Sequence, residues 1–429
     1  MLYQFNQTEN LYGEVFVDGK SKGECFYQFQ YNPYEPHSME ISLFNPPVDV
    51  LSGKMPTKVI TEFHWGSYEI ELKSGLFPIS LTGKGKQIKA PVTHFFKRQK
   101  VNREVTPAKL DISYLFPLTS LTDFEVGFTQ HGSYGLVRGH FDEDEHKIGP
   151  IENPLIFKYK GYKITLSDEF NFKSIRHNYY PQEHIVRRSF GSIQNIDLST
   201  NPVIDIVATI DDIFDEVFKV MSLIEREWID WNKRSYSITS EKGDLIEIVN
   251  CYRFVKPPST SYRPNWNEFT ERRKTLKEFL SKLVNLDTEK QKIALDTLQN
   301  YKIANTAHTV ESQFIHWHSC LDFFKKHYLM KGESTNNFSK DLIKVFDNNS
   351  IPLDDVLKHE PIDKIREAIK NKGNAPILTF TELRNAYIHD GFDAFHGQYD
   401  NANELKSIMR ALAERLLTRY IGLESVVSG

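Results

Sequence analysis

The chain has 429 residues, 40% of them hydrophobic and 26% charged; this balance excludes disordered and fibrous classes and gives enough apolar material for two or three self-stabilised domains. Its 53 Lys plus Arg against 57 Asp plus Glu leave a net charge of −4, which excludes a global field that would draw it onto nucleic acid or an acidic membrane, so any polyanion site must be local. Cys25, Cys251 and Cys320 are odd in number and far apart, fitting neither a disulfide framework nor a zinc knuckle, and no leader pattern or apolar run of membrane-spanning length is found. A protein of the reducing cytoplasm, without membrane contact, is expected.

From Leu11 to about Thr209 apolar residues recur at period two in short segments bounded by Gly, Pro, Asn and Asp, the pattern of half-buried strands. Clear segments are Gly23–Tyr31, Met39–Phe44, Val59–Leu72, Phe124–Thr129 and Tyr134–Phe141. Leu155–Tyr159 and Tyr162–Leu166 flank Lys160-Gly161, which predicts a two-residue hairpin. Residues 1–209 therefore read as an antiparallel β-rich domain, a sandwich or barrel-like module; since the chemistry-bearing motif at Arg384 to His389 lies wholly beyond it, a sensing or recognition role is expected for it. Within it, Phe95 to Arg103 mixes aromatic and basic residues as single-strand RNA binders do, with Lys97, Arg98, Lys100 and Arg103 as candidate RNA contacts; the blander expectation is a solvated loop. His140, Asp142, Glu143, Asp144, Glu145 and His146 lack defined ligand spacing and read as another solvated loop, so no metal or other cofactor is expected.

After Ile210 the period becomes helical, through Ile213, Phe214, Val217, Met221, Ile224 and Trp228. Prolines and small polar residues from Lys256 to Pro264 then mark a boundary, so 210–264 is read as a helical link and proline-rich connector. Residues 265–429 read as all helix. Val310, Phe314, Trp317, Leu321, Phe324 and Tyr328 form one stripe, and Leu405, Ile408, Met409, Leu412, Leu416 and Ile421 another, as in an antiparallel bundle. Cys320 is expected as a buried thiol. His316 and His318 point about 200° apart on a helix, cannot share a metal alone, and are expected at the surface. The fold class is α+β.

Between the two stripes Thr379 to Gly391 has its own start and stop: Thr379 with Glu382 makes a capping box, and Gly391 sits where a left-handed residue ends a helix. Asn385 and His389 are four apart and share a face, and Arg384 can curl towards them. A cation, an amide and an imidazole at one helix end suit RNA cleavage without a metal. Arginine holds the charge that builds on the phosphoryl oxygens, histidine gives or takes a proton near neutral pH, and Asn385 orients the imidazole or the phosphate. The blander alternative is a capping histidine with a surface salt bridge.

Arg384-Asn385-Ala386-Tyr387-Ile388-His389 resembles the R-[N/H/D]-x-x-x-H motif of the HEPN superfamily, helical-bundle domains that include many ribonuclease toxins and defence effectors. Glu311, Phe314, Trp317 and Leu321-Asp322 are similar to the E-x-x-F and W-x-A-L-E pattern of a subset, the ApeA-like anti-phage proteins, in which a β-rich domain precedes the HEPN domain. Asp322 stands where the subset usually has glutamate, a shorter reach for supporting Arg384. The resemblance implies a homodimer, two motif helices facing one composite cleft, and metal-independent cleavage of RNA (tRNA among the candidates) to 2′,3′-cyclic phosphate and 5′-hydroxyl ends. It also implies an abortive-infection effector answering a phage-derived trigger. The alternative is a catalytically inactive HEPN scaffold that binds a nucleotide, nucleic acid or a protein partner.

Overall fold

The computed structural model describes residues 7–31, 39–47, 50, 56–73, 79–82, 85–102, 104–117, 126–127, 136–137, 154–170, 187–199, 201–253, 269–305, 307, 309–329, 334–335, 337–351, 360–368, 378–391 and 399–423. Thus Arg103, the acidic stretch from His140 to His146 and the proline-rich connector lie outside the described residues. The strands are β1 (Gln7–Val17), β2 (Lys20–Tyr31), β3 (Glu40–Phe44), β4 (Lys58–Phe63), β5 (Gly66–Leu72), β6 (Ile79–Thr82), β7 (Gly85–Lys100), β8 (Lys109–Pro117), β9 (Val126–Gly127), β10 (Leu136–Val137), β11 (Leu155–Tyr159), β12 (Tyr162–Phe170), β13 (Arg187–Asp197), β14 (Lys233–Thr239) and β15 (Leu245–Arg253). The helices are α1 (Val203–Glu225), α2 (Phe269–Val284), α3 (Thr288–Ala304), α4 (Val310–Tyr328), α5 (Phe338–Asn348), α6 (Glu360–Ala368), α7 (Leu378–Asp390) and α8 (Tyr399–Tyr420). An antiparallel β half thus precedes an α half, as the change of period predicts. No described helix is long and apolar enough to cross a membrane.

Except for the small β9–β10 pair, the strands form one 13-stranded antiparallel sheet. Followed from neighbour to neighbour, β7, β3, β2, β1, β4 and β5 return to β7 and close a six-stranded barrel. Closure gives each strand of the ring a neighbour on both sides, although β1 meets β4 only over Glu14–Phe16. Its interior is filled by alternate residues, among them Val15, Tyr27, Phe29, Ile41, Val59, Ile70 and Phe95. The pairing of β5 with β7 slips between Glu71↔His94 and Leu72↔Val92, a bulge that lets both Val92 and Phe95 face inward. The outer part of the sheet runs from β7 through β15, β14, β8, β13 and β12 to β11. β7 is long enough, at 16 residues, to serve both parts, pairing with β3 over Gln87–Pro91 and with β15 over His94–Lys100.

The Lys160-Gly161 hairpin forms as its residues require: both have positive φ, 46° and 86°, the primed-turn geometry that matches strand twist. Three expectations need correction. Residues 210–264 are not only a link, because β14 and β15 lie inside them and insert between β8 and β7. The helical stripe stops short of Trp228, since α1 ends at Glu225 and Arg226 takes φ 55°. Phe95 to Lys100 is strand, not loop.

The chain divides into two compact units, Met1–Asp211 with Asp230–Pro257, and Asp212–Ile229 with Pro258–Gly429. In the second unit α4 is central, packing against α3, α5, α7 and α8. Its stripe residues Phe314, Trp317, Leu321 and Phe324 are buried, as are Leu405, Ile408, Met409, Leu412, Leu416 and Ile421 of α8 and its end. Cys320 is buried too, and burial pushes its thiol up to about 12. A polar cluster centred on Glu414 lies within this core. Glu414, 2% exposed, accepts from Arg226 Nη2 at 2.9 Å, from Arg226 Nε at 3.1 Å and from Tyr301 Oη at 2.7 Å.

Candidate functional site

The motif residues ride on α7, whose inner face is fixed by Phe380 and Leu383, both buried. Because side chains three to four apart share a helix face, anchoring Phe380 and Leu383 turns Asn385, Ile388 and His389 outward, and all three are exposed. Arg384, half-buried, donates from Nη1 to Asn385 Oδ1 at 3.0 Å. The bond holds the planar guanidinium beside the amide on the motif's outer side and spares it part of the rotamer entropy of a free arginine. His389, one turn beyond Asn385, stands in the last turn of the helix, and Gly391 follows with φ 65°, the left-handed residue the terminus requires.

The start of α7 differs from a capping box. The helix begins at Leu378, so Thr379 lies inside its first turn, buried, and its Oγ1 accepts from Arg366 Nη2 of α6 at 3.1 Å. Glu382 keeps a buried carboxylate oxygen with no hydrogen-bond partner among the described residues, and burial raises its carboxyl against the pull of Arg366. A tertiary arginine has taken the hydroxyl that the local pattern assigned to the backbone.

His318 is not at the surface. It is 8% exposed, stacks on Phe338 at 4.4 Å between ring centroids, and brings Nε2 to 3.3 Å from Thr381 Oγ1 of α7. Burial, reinforced by the charge of Arg384 and opposed by that of Asp322, lowers its pKa to about 4. The imidazole is therefore neutral at physiological pH and packs behind the motif helix as an aromatic ring. The signal that could have found it is spacing, since His318 lies four residues after Phe314 and three before Leu321, on the flank of the buried stripe.

Asp322 pairs with Lys325 at 2.9 Å and Lys326 at 2.7 Å on its own helix. Burial works to raise its carboxyl, but the lysine hydrogen bonds outweigh that and hold it below the ordinary carboxylate range. The charges of Arg384 and Asp322 act on His318 in opposite senses, but among the described residues no ion pair joins Asp322 to Arg384. Glu311, in the first turn of α4, is buried.

The basic candidates belong to the other unit, on β7. Lys97 is half-buried with Nζ 5.3 Å from the centre of the Tyr68 ring, Arg98 Nε is 3.0 Å from Glu247, and Lys100 is exposed. Among the described residues no group of three or more His, Cys, Asp or Glu is arranged to hold a metal ion. Compared with protein-family models, with curated proteins and with solved structures, the chain matches none.

Proposed function

We propose that the chain is a metal-independent endoribonuclease of the HEPN type, a cytoplasmic homodimer in which Arg384, Asn385 and His389 of each subunit line one RNA cleft. The observation that carries this reading is the placement of the three residues together. Arg384 is bonded to Asn385 at 3.0 Å while Asn385 and His389 are exposed on a helix whose opposite face is anchored in a core. Such a set is preorganised for a charge that develops outside the protein rather than for one already neutralised inside it.

In the proposed reaction the ribose 2′-oxygen bonds to the adjacent phosphorus as one imidazole removes its proton, and the P–O5′ bond breaks as a second imidazole protonates the leaving oxygen. The products are a 2′,3′-cyclic phosphate and a 5′-hydroxyl. One short helix offers one histidine, so the two proton-transfer roles call for two subunits. Arg384 carries the phosphoryl charge, and Asn385 keeps the guanidinium aimed. The resemblance to ApeA-like proteins supports a place in phage defence, with the β-rich unit answering a trigger.

The test is cleavage of RNA by the purified full chain in EDTA, followed by analysis of the ends. Cyclic phosphate ends, and a loss of about a hundredfold or more in Arg384→Ala and in His389→Ala, are expected. Strict dependence on added Mg²⁺ or Mn²⁺ overturns the metal-independent reading. RNA binding without turnover moves the chain to the scaffold alternative.

A further inference from the structure

We propose that the β4–β5 hairpin and the adjoining end of β7 form a stacking platform for single-stranded RNA on the barrel, separate from the motif helix. Trp65, at the tip of the hairpin, is 44% exposed. Its indole lies parallel to the Phe63 ring, with 4.7 Å between centroids and 5° between planes. Behind them Tyr68 meets Phe63 edge-on at 5.0 Å and Phe95 at 5.4 Å, so the outer ring is backed by an aromatic column that reaches the barrel core.

The tip is held in place. Gly66 brings the hairpin so close to β7 that a Cβ there would stand 1.9 Å from the Arg98 carbonyl oxygen. Lys100 N then donates to Trp65 O at 2.8 Å. A large aromatic surface fixed before binding loses little entropy when a base stacks on it.

Charge sits beside it. Arg98 is engaged by Glu247, but Lys97 and Lys100 form no ion pair among the described residues, and Val101, exposed, extends the apolar strip. Lys97 Nζ stands 5.3 Å from the centre of the Tyr68 ring, itself 6.1 Å from the Trp65 ring, and exposed Lys100 is tied to the tip through its backbone. An exposed indole with an ammonium group beside its aromatic column suits a base and its phosphate in a single strand, whereas a duplex hides its base faces. The identity of the ligand as RNA rests on the ribonuclease reading; the platform itself does not.

The experiment uses the full-length His389→Ala protein, to prevent cleavage, and a short fluorescein-labelled oligouridylate read by anisotropy at several salt concentrations. Adding Trp65→Ala should weaken binding by at least about fivefold, with Trp65→Phe intermediate. Lys97→Gln with Lys100→Gln should reduce the slope of log affinity against log salt by about 1.4. A duplex of equal length should bind the parent and Trp65→Ala alike. Single-strand affinity unchanged by Trp65→Ala, in a variant with the parent's circular dichroism, overturns the platform and leaves the motif site standing. Binding that depends on Trp65, in a wild-type chain that does not cleave RNA, overturns the catalytic reading and supports the platform.

Discussion

Replacing Glu414 by alanine should unfold the helical unit more readily than any exposed substitution on the same helix. The carboxylate accepts two guanidinium hydrogen bonds from Arg226 and one from Tyr301, at 2.9, 3.1 and 2.7 Å. Breaking a buried ion pair by removing one member costs about 3–5 kcal/mol, because the remaining charge loses the carboxylate that compensates it. Arg226 keeps 18% of its side-chain surface in water, so solvent recovers part of that loss and about 3 kcal/mol is expected. Tyr301→Phe removes one neutral donor and leaves the ion pair, for about 1 kcal/mol. In the double variant the two losses should not add, because both act through one carboxylate. Urea unfolding followed by tryptophan fluorescence is the assay; Trp317 lies edge-on to Tyr301 at 4.9 Å and reports on this part of the core. At about 2–4 °C per kcal/mol for a domain of this size, the melting point should fall by roughly 6–12 °C. A Glu414→Ala protein within about 1 kcal/mol of wild type, or a Tyr301→Phe loss equal to it, refutes the account.

Ile388, 54% exposed beside Asn385 and His389, is expected at the proposed two-fold contact, so Ile388→Lys should shift the protein from dimer to monomer by light scattering and lower RNA cleavage with it. A fully active monomer is the result that contradicts the composite cleft. His318 has a folded pKa lowered to about 4 from an ordinary 6.5; the unfolded chain binds the extra proton between these values, so the contribution is complete above about pH 6.5 and is lost as pH falls towards 4. The gap is worth roughly 3 kcal/mol. His318→Gln should accordingly flatten the pH dependence of unfolding in that window, and an unchanged profile would count against the burial of an uncharged ring. Gly66→Ala should cost about 3 kcal/mol or more, because its Cβ would meet a backbone carbonyl that cannot swing aside. A barrel melting as wild type does would show that the hairpin approaches β7 less closely.

What the sequence by itself determined is what depends on neighbours along the chain. The turn at Lys160-Gly161 and the apolar stripes of α4 and α8 follow from backbone preference and side-chain period. So does the clustering of Arg384, Asn385 and His389, because one helix turn places residues four apart together whatever surrounds them. Contacts distant in sequence were set by the tertiary structure alone. Strands β14 and β15 look like ordinary short strands in a linking region, yet they lie between β8 and β7 and join residues more than a hundred positions apart. Arg366 takes the hydroxyl of Thr379, lysines take the carboxylate of Asp322, and packing against Phe338 buries His318, a ring that its polarity alone assigns to water. The basic residues of β7 are legible in the sequence, but barrel closure alone lays the Trp65 hairpin beside them. In each case the physical reason is the same. Periodicity records which face of an element is apolar, whereas the choice of partner across space depends on burial and on competition among donors and acceptors that the chain brings together only on folding.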